Sequence, residues 1–133
     1  MRVLVLRLAQ STFVHSAVGF LLMASWAFYA NRNYPMPAPV IAGLLQGFLT
    51  AGVTVILKHM TEAQIRKFGG LSGLILPPLC AGSVSASILG SVHWLAGTPE
   101  VLATLAIPVT GATCYAALMS ITIWSQRRRS GLG

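Results

Sequence analysis

The chain is a short polypeptide of 133 residues, of which 55% are hydrophobic and only 8% are charged. A soluble globular domain carries about 25% charged residues, and a soluble protein this poor in charge would expose an apolar surface and aggregate. The composition therefore excludes an ordinary soluble domain and predicts a single all-α integral membrane domain over residues 1–133. The net charge of +7 then favours anionic lipid headgroups over nucleic acid as a partner, because the basic residues lie between apolar runs.

Four apolar runs, separated by polar or proline-containing breaks, predict four transmembrane helices. They cover roughly residues 8–30, 39–58, 71–95 and 99–124. Crossing a hydrocarbon core of about 30 Å takes about 20 apolar residues in a helix, and every run is close to or above that length. The short breaks predict two antiparallel hairpins. The first run also has a second interpretation, a signal peptide cleaved after Ser25-Trp26-Ala27.

The second run carries the most polar face of the chain. Gln46, Thr50 and Thr54 recur every four residues and so form one row along a helix. Hydrocarbon offers no hydrogen-bond partner, so a glutamine in the middle of a span must bond to another helix or to water. The row predicts either a polar pathway, with His15 near its cytoplasmic end, or hydrogen bonds that hold the helices together.

The segment Met60 to Gly70 predicts a short amphipathic helix on the membrane surface. Thr61 and Gln64 have the spacing of a capping box, in which two side chains satisfy free amides at the start of a helix. The other interpretation is that the second span continues as a helix beyond the membrane. Basic residues in this region and at the C-terminus predict contacts with lipid headgroups; they are Lys58, Arg66, Lys67, Arg127, Arg128 and Arg129.

Small residues on the third and fourth runs predict a helix–helix interface. Gly82, Ala86 and Gly90 form one row on the third run, and Gly111 is a small residue on the fourth. In lipid, helices associate through close packing and hydrogen bonds rather than hydrophobicity, and rows of small residues permit that packing. An adjacent row of serines on the third run would also suit the lining of a polar pore.

The distribution of lysine and arginine predicts the orientation. The two ends of the chain and the middle loop hold eight of these residues, whereas the other two connections hold only Arg32. The positive-inside rule therefore predicts that both termini are cytoplasmic, in agreement with an even number of spans. Because the chain is compact and lacks an organelle-type leader, we expect a bacterial inner membrane.

Groups that could perform chemistry are scarce. The only carboxylates are Glu62 and Glu100, both predicted at membrane surfaces, whereas a proton-coupled exporter needs a titratable group at membrane depth. The histidines lie at different depths, and His93 is interpreted as a surface tether. The two cysteines, Cys80 and Cys114, are interpreted as packing residues. We therefore expect no catalytic residues, no metal site and no cofactor.

Two functions remain from different classes. The first, slightly favoured by the scarcity of buried charge, is a non-catalytic accessory or scaffold subunit of a membrane complex. The second is a small homo-oligomeric transport or permeation component for a polar or amphipathic solute, which would use the polar face of the second span. In both cases the partners are the lipid bilayer and either further copies of the chain or another membrane protein.

Overall fold

The computed structural model describes residues 12–131, except for the side chains of Thr12 and His15. Over this range the chain forms four α-helices joined by short connections. They are α1 (Thr12–Ala30), α2 (Ala38–Lys67), α3 (Gly70–Leu95) and α4 (Val101–Arg129). Helices α2, α3 and α4 are each long and apolar enough to cross a membrane, and α1 contributes a shorter apolar segment, Ser16–Ala30. These properties indicate a helical membrane protein.

Helix α2 is longer than the sequence predicted. It continues without a break through Met60 to Lys67, so the prediction of a separate surface helix is wrong. Its 30 residues give about 45 Å of helix, which exceeds a hydrocarbon core of about 30 Å. Thr61 lies fully buried within this helix, and its hydroxyl has no hydrogen-bond partner in the described part of the chain. The predicted capping box therefore does not form.

The reversal between α2 and α3 depends on glycine. Phe68 is extended, with φ −104° and ψ 132°, and ends α2. Gly70 then adopts a φ of +59°, a conformation that glycine tolerates at no steric cost. Beyond the turn, the carbonyl oxygen of Phe68 would lie 2.5 Å from a Cβ atom at Gly73, so this part of the chain also needs a residue without a side chain.

Helices α3 and α4 agree closely with the predicted runs, although α4 extends further at its C-terminal end. Pro77 and Pro78 lie inside α3, and Pro108 lies inside α4. Each proline lacks the amide donor that the helix would use at that position. The helices nevertheless continue, and Pro77 is fully buried.

Close contacts between neighbouring helices occur at glycines. A Cβ atom at Gly47 of α2 would lie 2.8 Å from the ring of Phe20 in α1. A Cβ atom at Gly82 of α3 would lie 2.6 Å from the hydroxyl oxygen of Thr113 in α4. Real Cβ atoms do not approach other atoms this closely, so the absence of a side chain allows these helices to pack tightly.

The buried apolar core is small and joins α2, α3 and α4. It consists of Val53, Leu57, Ala81, Leu89 and Ala116. Many large apolar side chains instead face outwards, as is typical of a protein whose solvent is lipid.

Candidate binding cavity and its hydrogen-bond network

The side chain of Gln46 is fully buried between α2 and α3. Its Nε2 donates a hydrogen bond of 3.0 Å to the hydroxyl oxygen of Thr50, one turn further along α2. Its Oε1 lies 2.9 Å from Nε2 of His93 in α3. The glutamine therefore finds its partners inside the protein.

His93 is also fully buried, and it connects the glutamine to the segment between α3 and α4. Its Nδ1 lies 2.8 Å from the hydroxyl oxygen of Thr98. An amide oxygen only accepts hydrogen bonds, so the hydrogen on His93 is assigned to Nε2, which donates to Gln46. The neutral ring then accepts at Nδ1 from the Thr98 hydroxyl. Both ring nitrogens are satisfied, and four side chains form one continuous hydrogen-bonded series from Thr98 to Thr50.

The interpretation of His93 as a surface tether is therefore wrong. The periodicity of α3 indicates that His93 is buried. The buried residues of this helix recur every four positions, and His93 is the last of them; they are Gly73, Pro77, Ala81, Ser85, Leu89 and His93. Residues four apart lie on one face of a helix, so a stripe of small and apolar residues that ends in histidine places the histidine inwards.

A second buried polar group, Asn31, lies just after α1. Its Nδ2 donates to the carbonyl oxygen of Ala27 and to the hydroxyl oxygen of Thr104, each at 2.8 Å. Its Oδ1 accepts from the backbone N–H of Glu100 at 2.9 Å. Glu100 is the residue directly before α4 and makes no side-chain cap of its own, so Asn31 supplies a partner from a distant part of the sequence.

Further contacts near the surface lie at the same end of the bundle as Asn31. The indole Nε1 of Trp26 donates to the carbonyl oxygen of Ala103 at 3.0 Å and so joins α1 to α4. The phenol of Tyr34 donates to the carboxylate of Glu100 at 2.8 Å. This hydrogen bond to a negatively charged group raises the pKa of Tyr34 above its usual value. The guanidinium of Arg32 lies 3.8 Å from the centre of the Tyr29 ring.

A cavity of about 260 Å³ lies between all four helices and is partly open at the surface of the bundle. Its lining is mainly apolar, with four hydroxyl-bearing residues. The lining residues are Gly19, Met23, Thr50, Val53, Thr54, Leu57, Ser85, Leu89, Ile107, Pro108, Gly111, Ala112 and Tyr115. Drug-sized sites typically occupy about 300–1,000 Å³, so this space suits a compact ring or part of a chain.

The residues predicted to form a polar pathway have different positions in the structure. Thr50 and Thr54 line the cavity, whereas Gln46 lies outside its lining and supports Thr50 through their hydrogen bond. The hydroxyl of Thr54 donates to the backbone carbonyl of Thr50 at 2.6 Å. His15 belongs to α1, but its side chain lies outside the described residues.

The small residues predicted to pack have two kinds of environment. Gly82 and Gly90 approach α4, and a Cβ atom at Gly90 would lie 3.4 Å from the side chain of Leu105. Ala86 is half-buried in the same helix. Gly111 instead borders the cavity, and a Cβ atom there would meet no atom within 4 Å.

Most of the basic residues predicted to contact headgroups lie where α2 and α4 end, whereas Lys58 lies earlier in α2. The Arg127 guanidinium donates to the backbone carbonyl of Phe68 at 3.4 Å, which places the two helix ends side by side. The guanidinium of Arg128 lies 4.7 Å from the centre of the Trp124 ring. The others, Lys58, Arg66, Lys67 and Arg129, are exposed.

Within residues 12–131, no group of three or more histidine, cysteine or acidic side chains could hold a metal ion. Cys80 and Cys114 are both free thiols. Comparisons of the chain with protein-family models, with curated proteins and with solved structures found no match. Because no related protein suggests a function, a functional proposal rests on the cavity and its hydrogen bonds.

Proposed function

We propose that the protein is a non-catalytic membrane component that binds an amphipathic molecule in the cavity and takes part in moving it within or across the bilayer. The cavity between all four helices is the observation that carries this proposal. The mainly apolar lining favours an amphipathic ligand over a strongly polar solute, because a polar solute would lose its hydration without replacement. The hydroxyl groups of Thr50, Ser85 and Tyr115 would orient the ligand.

The hydrogen bonds of Gln46 favour this choice over a water-filled pathway. Its amide is bonded to His93 and Thr50, so the polar row does not require water beside it. The hydrogen bonds instead hold one hydroxyl-bearing residue, Thr50, at the cavity wall. A bundle of four helices encloses little volume, so we propose that transport would involve a homo-oligomer.

We further propose a topology of four spans in two antiparallel hairpins, with both termini in the cytoplasm of a bacterial cell. The gathering of basic side chains near the ends of α2 and α4 supports this orientation, because such residues are enriched on the cytoplasmic side. The contacts of Gly47 with Phe20 and of Gly82 with Thr113 support the pairing of α1 with α2 and of α3 with α4.

An uncharged monoacylglycerol with a diazirine in its acyl chain tests whether the cavity takes an amphipathic molecule. After illumination in membranes, peptide mass spectrometry would locate the labelled residues. We expect labelling at Ser85, which is only 1% exposed and borders the cavity, in addition to labelling on the outer surface.

Gly111→Leu should fill the cavity and remove the label at Ser85. Gly52→Leu is the matched control, because Gly52 is exposed and has open space around it. Absence of label at Ser85 in the unmodified protein would contradict the proposal.

The second candidate is an accessory or scaffold subunit of a membrane complex. The outer face of α4 favours it, because the apolar part of this helix is less buried than that of α2 or α3. Leu102 is 87% exposed and Leu118 is 66% exposed, and either lipid or a partner helix would cover them. This function predicts that a different membrane protein co-purifies in mild detergent. A stable homodimer without such a partner would count against it.

A further inference from the structure

We propose that the molecule in the cavity is neutral and mainly apolar, and that it places a hydrogen-bond-accepting oxygen against the hydroxyl group of Thr50. The carbonyl oxygen of a quinone or of an ester has this chemistry. The inference rests on the proposed function, because it assumes that the cavity binds a ligand, and it adds the chemical class of that ligand.

The direction of the hydrogen bonds supports this class. The Thr98 hydroxyl donates to Nδ1 of His93, and Nε2 of His93 donates to Oε1 of Gln46. Nε2 of Gln46 then donates to the hydroxyl oxygen of Thr50. His93 and Gln46 each accept from one neighbour and donate to the next. The series ends at the Thr50 hydroxyl, whose oxygen already accepts a bond.

Within this series of four side chains, the hydrogen of the Thr50 hydroxyl is the donor left without a partner. It makes no hydrogen bond to any described residue, and Thr50 borders the cavity. Thr50 is half-buried, and an acceptor oxygen in the cavity would give its hydroxyl a partner where the apolar lining offers none. The preceding bonds polarise one another in an environment of low dielectric, so the terminal hydroxyl becomes a stronger donor.

The described part of the lining disfavours charged ligands. Among the described residues that border the cavity, none is acidic or basic. A carboxylate or an ammonium group would therefore be transferred from water into an apolar cavity without an opposite charge, at a high cost. A neutral carbonyl oxygen carries no such penalty and needs only one donor.

Thr54 provides a matched control for Thr50. Both residues lie on α2, border the cavity and carry a hydroxyl group. The Thr54 hydroxyl already donates to the backbone carbonyl of Thr50, so its hydrogen is not available to a ligand. Replacing Thr54 by valine removes a hydroxyl of similar position without removing the donor that the proposal requires.

Two probes with nearly the same shape test the inference. They are 2,3-dimethyl-1,4-naphthoquinone and 2,3-dimethylnaphthalene, which differ in two carbonyl oxygens. Both are titrated against the full-length protein in lipid nanodiscs. The Gly111→Leu variant, whose added side chain we expect to occupy the cavity, serves as the background for partition into lipid. We expect the quinone to bind about 3- to 10-fold more tightly than the hydrocarbon, the range of one net hydrogen bond. The carbonyl stretching frequency of the bound quinone should also be lower than that of quinone dissolved in the lipid.

The variants assign the effect to one hydroxyl group. Thr50→Val should abolish both the preference for the quinone and the infrared shift, whereas Thr50→Ser and Thr54→Val should retain them.

Equal binding of the two probes, or an infrared shift that persists in Thr50→Val, would overturn the inference and leave cavity binding intact. Failure of both probes to bind would contradict the proposed function itself. If Thr50→Val does not fold, the comparison of the two probes on the unmodified protein and on Thr50→Ser still decides the question.

Discussion

Nε2 of His93 donates a hydrogen bond to Oε1 of Gln46 over 2.9 Å, and both side chains are fully buried. The two residues are 47 positions apart, and their bond joins α3 to α2. It also links the connection before α4 to the wall of the cavity, because His93 bonds to Thr98 and Gln46 bonds to Thr50. Stability and the proposed ligand binding therefore depend on one set of side chains.

Replacing His93 by leucine should destabilise the fold. The change leaves the amide oxygen of Gln46 and the hydroxyl of Thr98 without their partner, and we expect a loss of about 2–3 kcal/mol in the free energy of unfolding. Unfolding of the purified protein in mixed micelles of increasing denaturing detergent measures this loss. His59→Leu is the control, because His59 is exposed and should change stability by less than about 0.5 kcal/mol.

The double variant His93→Leu with Gln46→Leu separates the hydrogen bond from simple packing. Replacing both partners by apolar groups removes the unpaired amide, so the double variant should lose less stability than the two single variants together. Strictly additive losses would show that the two residues act independently.

Replacing Asn31 by alanine should loosen the start of α4. Asn31 accepts the backbone N–H of Glu100, and loss of a capping partner costs about 0.5–2 kcal/mol. Amide hydrogen exchange should become faster at Glu100, with a smaller change in the middle of α4. The exposed neighbour Asn33 is the matched control, and Asn33→Ala should leave the exchange at Glu100 unchanged. Equal effects of both variants would contradict the capping role.

Two glycines predicted to pack should respond differently to alanine. At Gly82 the new methyl group would lie 2.6 Å from the hydroxyl oxygen of Thr113, and we expect a loss of about 1–3 kcal/mol from overpacking. At Gly111 the methyl group meets open space, and alanine should be neutral or stabilise the helix by up to about 1 kcal/mol. Unfolding midpoints of the two variants measure the difference, and the reverse order would contradict the contact between α3 and α4.

Cysteine labelling tests the proposed orientation. In a background with Cys80 and Cys114 replaced by serine, Asn33→Cys and Ser130→Cys each introduce one exposed thiol. A membrane-impermeant maleimide should label Asn33→Cys in intact cells and should label Ser130→Cys only after the cells are broken. The opposite pattern would place the basic ends of α2 and α4 outside the cell.

The contact of Tyr34 with Glu100 should be visible in a titration. The pKa of Tyr34 is raised because the carboxylate accepts its hydrogen bond and repels the phenolate. The contribution of this contact to stability is therefore complete below the ordinary pKa of tyrosine and is lost as the pH rises through the raised value. Glu100→Gln should lower the pKa of Tyr34 towards its ordinary value. The difference in ultraviolet absorbance between each protein and its Tyr34→Phe counterpart measures it, and an unchanged titration would contradict the contact.

Several features of the fold could be predicted because they depend on local sequence. The apolar run at 71–95 corresponds to α3 (Gly70–Leu95), since the length of an apolar run determines whether it can cross a bilayer as a helix. The end of α2 was predicted less well. Thr61 and Gln64 match a capping motif, yet Thr61 is buried within a continuous helix, because a motif of four residues does not specify what packs against it.

The sequence by itself determined the helical class, the apolar segments and the unequal distribution of basic residues, because composition and periodicity are properties of each segment alone. The tertiary structure decided which polar side chains meet. Asn31 and Glu100 are 69 residues apart, and their hydrogen bond depends on how α1 packs against α4. The cavity likewise depends on how the helices pack. It is lined by residues of all four helices, so its shape and the position of the Thr50 hydroxyl at its wall exist only once the bundle has formed.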